Sequence, residues 1–393
     1  MAIDEPALNE SRSALRRPLV RRLILKDFRS YPALDLSLSG RLVALCGENG
    51  AGKTNLIEAL SLFAPGRGLR RAEFGECARD AGSGGFAISI LIEDEGEPRQ
   101  LGTGLEREEG EDAPSRKHRI DRAPVVSARA FADHLRIVWL TPAMDGLFTG
   151  PASERRRFLD RLVLAIDPNH GARVAQLERA LRGRNRLLEE GGRDAHWLDA
   201  IERETAELAI AVAAARAECV ARLKAMIAQE RDDDSPFPWA DLALEGDVQR
   251  LVAEHPALAA EEKYRAILRD NRARDAAAGR TLIGPHVGDL LVWHGPKAAR
   301  AEQASTGEQK ALLVGLVLAH ARLVGAMSGM APLALLDEVA AHFDPRRRMA
   351  LFSALERIGG QVFLTGADPA AFWGLEGRAQ MFEVTPGRVT ARG

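Results

Sequence analysis

The stretch "CGENGAGKTN", residues 46–55, decides how the rest of the chain is interpreted. Gly47, four further residues, and then Gly52, Lys53 and Thr54 give G-x-x-x-x-G-K-T, the Walker A pattern. Backbone N–H groups of such a loop converge on phosphate oxygens, the lysine reaches the β- and γ-phosphates, and the threonine holds Mg²⁺. The sequence therefore predicts ATP binding by Gly47, Glu48, Asn49, Gly50, Ala51, Gly52, Lys53, Thr54 and Asn55.

The residues on either side of this stretch fit the same interpretation. "RLVALCG" before it is an apolar run typical of a buried strand, and "KTNLIEALSLF" after it places Leu56, Ile57, Leu60 and Phe63 on one helical face. Strand, loop and helix in this order put a helix N-terminus under the phosphates. The alternative interpretation is a glycine-rich turn between core elements.

Composition limits the class of protein. With 393 residues the chain is longer than one compact core usually holds, which favours two domains. A net charge of −2 means that any nucleic-acid contact has to use a local basic surface. The three cysteines have neither zinc nor disulfide spacing. We also expect no apolar run of membrane-spanning length and no signal segment, and hence a soluble cytoplasmic protein.

The chain changes character twice. Within the N-terminal part of the head, residues 1–148, the first 18 residues are predicted to be a loose leader and residues 19–148 read mostly as strands around the phosphate loop. A charged, solvated loop is predicted at 106–119. Residues 149–280 are rich in Ala, Leu, Arg and Glu, and within 198–219 apolar residues recur at three- and four-residue steps. Strand and helix patterns return over 281–393. We predict an α/β ATPase head built from both ends of the chain, with a helical arm inserted as either a compact bundle or a protruding hairpin.

A second motif, "PLALLDEVAAHFD" (332–344), completes the nucleotide site. Its apolar run predicts a buried strand that ends in Asp337 and Glu338. In a Walker B motif the first acid supports the Mg²⁺ shell and the second polarises the attacking water. We therefore predict Mg²⁺ ligation by Thr54 and Asp337, and catalysis by Glu338 together with Lys53.

A third motif lies between them. Ser305, Gly307 and Glu308 in "STGEQKALL" resemble the S-G-G-Q signature of ABC ATPases, with Glu in the place of Gln, and Asp344 resembles the end of a D-loop. A signature at a helix N-terminus can bind the γ-phosphate of ATP held by a second subunit. The set predicts two ATP sites formed across a homodimer that assembles when ATP binds.

Most of the chain separates Thr54 from Ser305, an arrangement similar to that of the SMC-like branch of these ATPases. More specifically, the chain resembles the RecF family. The resemblance runs through "LILKDFRSYPALDLSL", "GENGAGKTNLIEALSLFAPGRGLRRA" and "TPAMDGLFTGPASERRRFLD", and closes with "GPHVGDL", "STGEQKALL" and "LLDEVAAHFD". "GPASERRRFLD" and the "GPH…DL" element are its most specific parts.

The sequence also departs from the usual patterns at four places. Met144 precedes Asp145 where an acid is frequent, and Gly288 stands where another acid is usual. No Gln lies near residue 140 to act as a Q-loop, and "FLTGADP" lacks the histidine of transporter H-loops. Thr365 and Asp368 are the candidates to replace that histidine.

The resemblance implies a slow, DNA-stimulated ATPase that dimerises on ATP and binds double-stranded and gapped DNA at single-strand junctions. It further implies action with RecO and RecR in loading RecA. Two alternatives remain open: an SMC-like ATPase with another DNA task, and a nucleotide-dependent interaction scaffold in which hydrolysis matters little.

Two groups of arginines are candidate DNA contacts. The first lies near the N-terminus and the second follows Ser153, a candidate helix N-cap. Cations are disfavoured at a helix N-terminus, so the second group serves either DNA contact or packing linked to the nucleotide. The candidates are Arg16, Arg17, Arg21, Arg22, Arg155, Arg156 and Arg157.

Overall fold

The computed structural model describes residues 15–106, 114–191 and 195–392. Its strands are β1 Leu19–Phe28, β2 Tyr31–Ser37, β3 Leu42–Cys46, β4 Phe86–Asp94, β5 Glu97–Glu106, β6 Ser115–Ile120, β7 Ala123–Pro124, β8 Ile137–Leu140, β9 Ala240–Glu245, β10 Asp289–His294, β11 Ala299–Arg300, β12 Leu333–Leu336, β13 Val362–Gly366, β14 Gln380–Thr385 and β15 Arg388–Ala391. Its α-helices are α1 Lys53–Ser61, α2 Phe74–Cys77, α3 Ala152–Ile166, α4 His170–Glu189, α5 Ala195–Gln229, α6 Asp247–Glu254, α7 Ala257–Asp270, α8 Arg272–Ala278, α9 Thr306–Ser328 and α10 Pro345–Ile358.

A mixed six-stranded sheet organises the head, in the order β15-β14-β3-β13-β12-β8. The strands from β14 to β8 are parallel, and β15 pairs antiparallel at the edge. Strand β3 comes from the N-terminal part of the chain, whereas its neighbours β13 and β14 come from the C-terminal part. Both ends of the chain therefore build one sheet, which confirms the predicted α/β class.

The P-loop helix α1 lies between two sheets. One face of the mixed sheet, including Val43 and Leu45 of β3, packs with Leu56, Ile57 and Leu60 of α1 in a core shared with β1 and β4. The opposite face of β3 contributes to a second core, with α3, α9 and α10. Burial of a parallel strand on both faces explains why "LVALC" is continuously apolar.

The second sheet is antiparallel, in the order β2-β1-β4-β5-β6-β7. Residues 115–120 pair in it with β5, from Leu101 opposite Ile120 to Glu106 opposite Ser115. The loop predicted over 106–119 is therefore wrong for Glu106 and for residues 115–119, while 107–113 lie outside the described residues. The charged residues suggested a loop because the side chains of this strand are only partly buried. The strand therefore lacks the alternation of apolar and polar residues that would identify it in the sequence.

Over residues 149–191 and 195–280 the chain is mostly helical but contains one strand, β9, which pairs with β10 in a three-stranded sheet. Helices α4 to α7 share a third core, in which Leu177, Val212, Val248 and Tyr264 are buried. This part is a compact bundle around the 35-residue helix α5. Helix α3 and the C-terminal end of α5 join the core of the head. The division at 148/149 and 280/281 stays a prediction.

Helix α9 corrects one expectation from the sequence. Its 23 residues are long and apolar enough, by length and composition, to cross a membrane. However, most of them are buried inside the protein. The helix is apolar all round because it packs between the mixed sheet and its neighbours, so it is a core helix.

A buried ionic cluster ties the bundle together. Arg184 of α4 is fully buried and donates to Glu202 of α5 at 3.1 Å and to Asp275 of α8 at 2.7 Å. It also donates to the hydroxyl of Thr281 at 2.8 Å and to the carbonyl of Leu268 at 2.6 Å. One guanidinium thus joins α4, α5, α7, α8 and the segment that follows.

We expect Arg184→Met to lower the free energy of unfolding by about 3–5 kcal/mol, because the buried carboxylate of Asp275 would have no cationic partner among the described residues and Glu202 would keep Arg272 alone. Urea unfolding followed by circular dichroism measures this. Arg186→Met is the matched control, since Arg186 lies on the same helix with its side chain 80% exposed. Its pair with Glu190 should contribute at most about 0.5 kcal/mol. Equal effects of the two substitutions would contradict the importance of the cluster.

Candidate active site

The loop between β3 and α1 has the geometry of a phosphate cradle. Gly52, at φ +108°, is the N-cap of α1, and a Cβ there would also lie 2.8 Å from the Tyr31 hydroxyl. A Cβ at Gly47 would lie 2.1 Å from the carbonyl oxygen of Val384. Both positions therefore require glycine. Lys53 is buried, and its Nζ donates to the carbonyls of Gly47 and Glu48 at 2.7 and 2.9 Å.

Walker A and Walker B residues meet through side chains. The hydroxyl of Thr54, at the start of α1, donates to the carboxylate of Asp337 at 3.0 and 3.1 Å. Asp337 directly follows β12 and is 6% exposed. Residues far apart in the sequence thus face each other beside the phosphate loop, as the two motifs predicted.

This pair has the chemistry that Mg²⁺ requires. A hydroxyl and a carboxylate are hard oxygen ligands, and Mg²⁺ is commonly held by one or two carboxylates together with substrate phosphates and water. Among the described residues no group of three or more His, Cys, Asp or Glu side chains could hold a metal by itself. A magnesium ion at Thr54 and Asp337 would therefore depend on the nucleotide for its other ligands.

Glu338 has an unusual backbone conformation. Its φ of +53° and ψ of +21° place it in the left-handed region, where residues other than glycine are uncommon and strained. Its N–H donates to the hydroxyl of Thr365 at 3.0 Å. Within the described parts of the chain its carboxylate makes no hydrogen bond or ion pair, which leaves it available to a water molecule beside Asp337.

The signature residues lie at the start of α9. Ser305 is the N-cap, and together with Glu308 it forms a capping box. The Glu308 carboxylate accepts from the Ser305 N–H and hydroxyl at 3.0 and 2.9 Å and pairs with Lys297 at 2.6 Å. Lys297 and Ser305 lower the pKa of Glu308 to about 2. Glu308 is therefore an ionised cap whose charge is balanced by Lys297, and Ser305 and Gly307 remain exposed.

The signature lies beside the D-loop helix. Asp344 is the N-cap of α10 and accepts from the Arg347 N–H at 2.9 Å. A Cβ on Gly307 would have Arg347 Nη1 as its nearest neighbour, at 3.9 Å. Neither Ser305 nor Glu308 has a hydrogen bond or ion pair to the phosphate loop within residues 15–106, 114–191 and 195–392. The structure thus brings the signature and the D-loop together. Within the described residues of one chain, the signature side chains do not contact the Walker A loop.

The positions without the usual Q-loop and H-loop residues have other partners. Asp145, after β8, pairs with Lys310 of α9 at 3.2 Å, which joins this loop to the signature helix. Thr365 donates to Asp337 at 2.7 Å. Asp368, by contrast, caps a short 3₁₀ helix by accepting from the Ala370 N–H at 2.8 Å. Of the two candidates, only Thr365 contacts the Walker B acids.

The second arginine group serves packing to different degrees. Arg155 is 13% exposed and forms a bidentate pair with Asp289, at 2.8 and 2.7 Å, while Arg156 donates to the carbonyl of Gly288 at 2.8 Å. Arg157 pairs with Glu154 on the surface. Helix α3 begins at Ala152 with Pro151 as its N-cap, so the prediction of Ser153 as the cap is wrong.

The N-terminal arginines also differ from one another. Arg16 pairs with Asp94, Arg21 with Glu93, and Arg22 with Asp35. Arg17 is exposed and has no carboxylate partner among the described residues. Because a paired arginine must give up its carboxylate to bind a phosphate, Arg17 is the strongest of these candidates. DNA contact by all seven arginines stays a prediction.

One functional feature was missed by the sequence reasoning. Glu58 of α1 is fully buried and pairs with Arg29 and Arg70, each at 2.7 Å. Arg70 also donates to the side-chain oxygen of Asn55 at 2.7 Å, and Asn55 directly follows Thr54 in the sequence. The cluster braces the P-loop helix. The signal was an acid in the apolar pattern of "NLIEALSLF", which needs a cationic partner once buried.

Comparisons with known proteins agree with this geometry. A family model described as the RecF/RecN/SMC N terminal domain matches residues 19–388. The DNA replication and repair protein RecF of Mesorhizobium japonicum is 55% identical over 370 residues, covering 94% of this chain and 97% of that relative. RecF of Brucella abortus is 53% identical over 382 residues, covering 95% and 97%.

The fold agrees as well. A solved structure of the recombination mediator protein RecF-ATPrS in the RecFOR pathway superimposes with a TM-score of 0.84 at 21% identity, covering 97% of this chain and 100% of that one. At that identity the match supports the fold, while the family follows from the sequence relatives. The chain therefore belongs to the RecF family, a group of SMC-like P-loop ATPases of DNA replication and repair.

Proposed function

We propose that this protein is an ATP-driven DNA clamp, in which ATP and Mg²⁺ close two heads into a homodimer and slow hydrolysis reopens it. The observation that carries the proposal is the separation of two half-sites on one chain. Thr54, Asp337 and Glu338 form one half beside the phosphate loop, and exposed Ser305 and Gly307 form the other at the start of α9.

A head-to-head dimer would complete both halves. Each α9 N-terminus would place its backbone N–H groups against the γ-phosphate held by the other subunit, where a helix N-terminus favours negative charge. Asp344 and Arg347 would enter the same interface because they lie beside Gly307. ATP then supplies contacts that neither monomer makes alone.

The cellular role that we propose is recombinational repair and replication in the cytoplasm. Membership of the RecF family supports it, as does the description of a structural neighbour as a recombination mediator in the RecFOR pathway. In this role the closed dimer holds duplex or gapped DNA, DNA stimulates hydrolysis, and RecO and RecR cooperate in RecA loading.

DNA affinity should depend on both ATP and salt. Because the net charge is −2, binding has to use arginines gathered when two heads close. Each phosphate contact contributes about −0.9 to the slope of log K against log salt, so about six contacts would lose roughly a thousandfold between 50 and 200 mM salt. Fluorescence anisotropy with one gapped duplex, with and without ATP, measures this.

Three variants sharpen the experiment. Lys53→Met should bind DNA with ATP only as weakly as wild type does without it. Arg17→Ala should flatten the salt slope by about 0.9 for each Arg17 that contacts a phosphate. Arg186→Ala, an exposed position on α4, should leave the slope unchanged. Equal affinity with and without ATP, or a flat salt response, would refute the clamp.

A further inference from the structure

Thr365 lies at the C-terminal end of β13, next to the Walker B strand. It is 2% exposed. Its Oγ1 is 2.7 Å from Oδ1 of Asp337 and 3.0 Å from the backbone nitrogen of Glu338. One hydroxyl therefore contacts both acids of the motif.

The direction of each hydrogen bond is fixed by chemistry. A carboxylate can only accept and an amide N–H can only donate, so Thr365 donates its single hydrogen to Asp337 and accepts from Glu338. A group that senses phosphate has to donate to it. While its hydrogen is given to Asp337, Thr365 cannot act as the donor that a histidine would supply at this place.

The two hydrogen bonds hold Asp337 and Glu338, whose positions are fixed by few other contacts. Asp337 would otherwise be oriented by Thr54 alone among the described side chains. Glu338 has a strained left-handed backbone at φ +53°, a conformation that persists when surrounding contacts determine it. A bond to its N–H anchors the peptide from which the carboxylate projects.

We propose that Thr365 is a positioning residue for ATP hydrolysis, which holds Asp337 toward the metal position and fixes the backbone of Glu338. This inference rests on the proposed roles of these two acids. It predicts that the rate of the chemical step depends on the hydroxyl of Thr365. The methyl group and the volume of the side chain should matter little.

The test compares Thr365→Val, which keeps the shape, with Thr365→Ser, which keeps the hydroxyl. Because a hydrogen bond to a charged group is lost, we expect Thr365→Val to lower kcat by about 10- to 100-fold. ATP binding and KM should stay within about threefold, and the Mg²⁺ concentration for half-maximal rate should rise. Thr365→Ser should stay within about threefold of wild type in all of these.

Thermal unfolding of each variant shows whether it is folded, and Thr365→Ala provides a second variant without the hydroxyl should the valine variant fail to fold. Wild-type kcat in Thr365→Val or Thr365→Ala, or equal losses in the serine and valine variants, would overturn the inference. Glu338→Gln, measured in parallel, separates the two proposals. If Glu338→Gln is impaired and Thr365→Val is not, this inference alone fails; if Glu338→Gln hydrolyses normally, the proposed active site fails.

Discussion

Glu338→Gln is expected to retain ATP binding and ATP-dependent dimerisation while its hydrolysis rate falls by about 10²-fold or more, as for loss of a general base. The amide keeps the shape of the side chain but cannot take a proton from water. In the wild-type protein the Glu338 carboxylate has no partner among the described residues, so the substitution removes no internal ion pair. Single-turnover hydrolysis of labelled ATP measures the rate.

Glu356→Gln is the matched control, because it removes an exposed carboxylate that pairs with Arg378 on the surface. It should hydrolyse ATP at the wild-type rate. Normal turnover in Glu338→Gln would exclude Glu338 as the base and direct attention to Asp344 or Asp337. A stable ATP-bound dimer of Glu338→Gln would also be the preparation of choice for DNA-binding measurements.

Ser305→Arg is expected to abolish the ATP-dependent dimer while the monomer still binds ATP. Ser305 is exposed at the N-terminus of α9, where a large cation would occupy the space proposed for the other subunit's γ-phosphate. Loss of the N-cap itself should cost only about 1 kcal/mol, which a core helix tolerates. Mass in solution by light scattering, with and without ATP, measures the dimer.

Met327→Arg is the matched control, since it places the same cation at an exposed position at the opposite end of the same helix. It should dimerise like wild type. A dimer that forms without ATP, or an ATP-dependent dimer that survives Ser305→Arg, would contradict a site shared between subunits. ATP binding by both variants, followed by fluorescence of a labelled nucleotide, distinguishes a lost interface from a lost nucleotide site.

Much of the head could be predicted because its signals are local. The Walker A spacing specifies a strand, a tight loop and a helix within 20 residues, and β3 and α1 have the expected positions. The buried strand before Asp337 and the helix after Ser305 were equally readable. The predictions were wrong where one local pattern is compatible with two structures. The examples are the charged strand at 115–120 and the apolar core helix α9.

The sequence by itself determined the fold class and the RecF family, and it predicted the phosphate loop, the Walker B acids and the signature. Each of these depends on residue types at short spacing or on similarity along the chain. Only the tertiary structure decided which distant side chains meet. Thr365 contacts Asp337, and Arg155 pairs with Asp289, because β13 lies beside β12 and α3 packs near β10. Strand order and helix packing follow from burying all the apolar surfaces at once, so these contacts are properties of the whole fold, which no single stretch of sequence encodes.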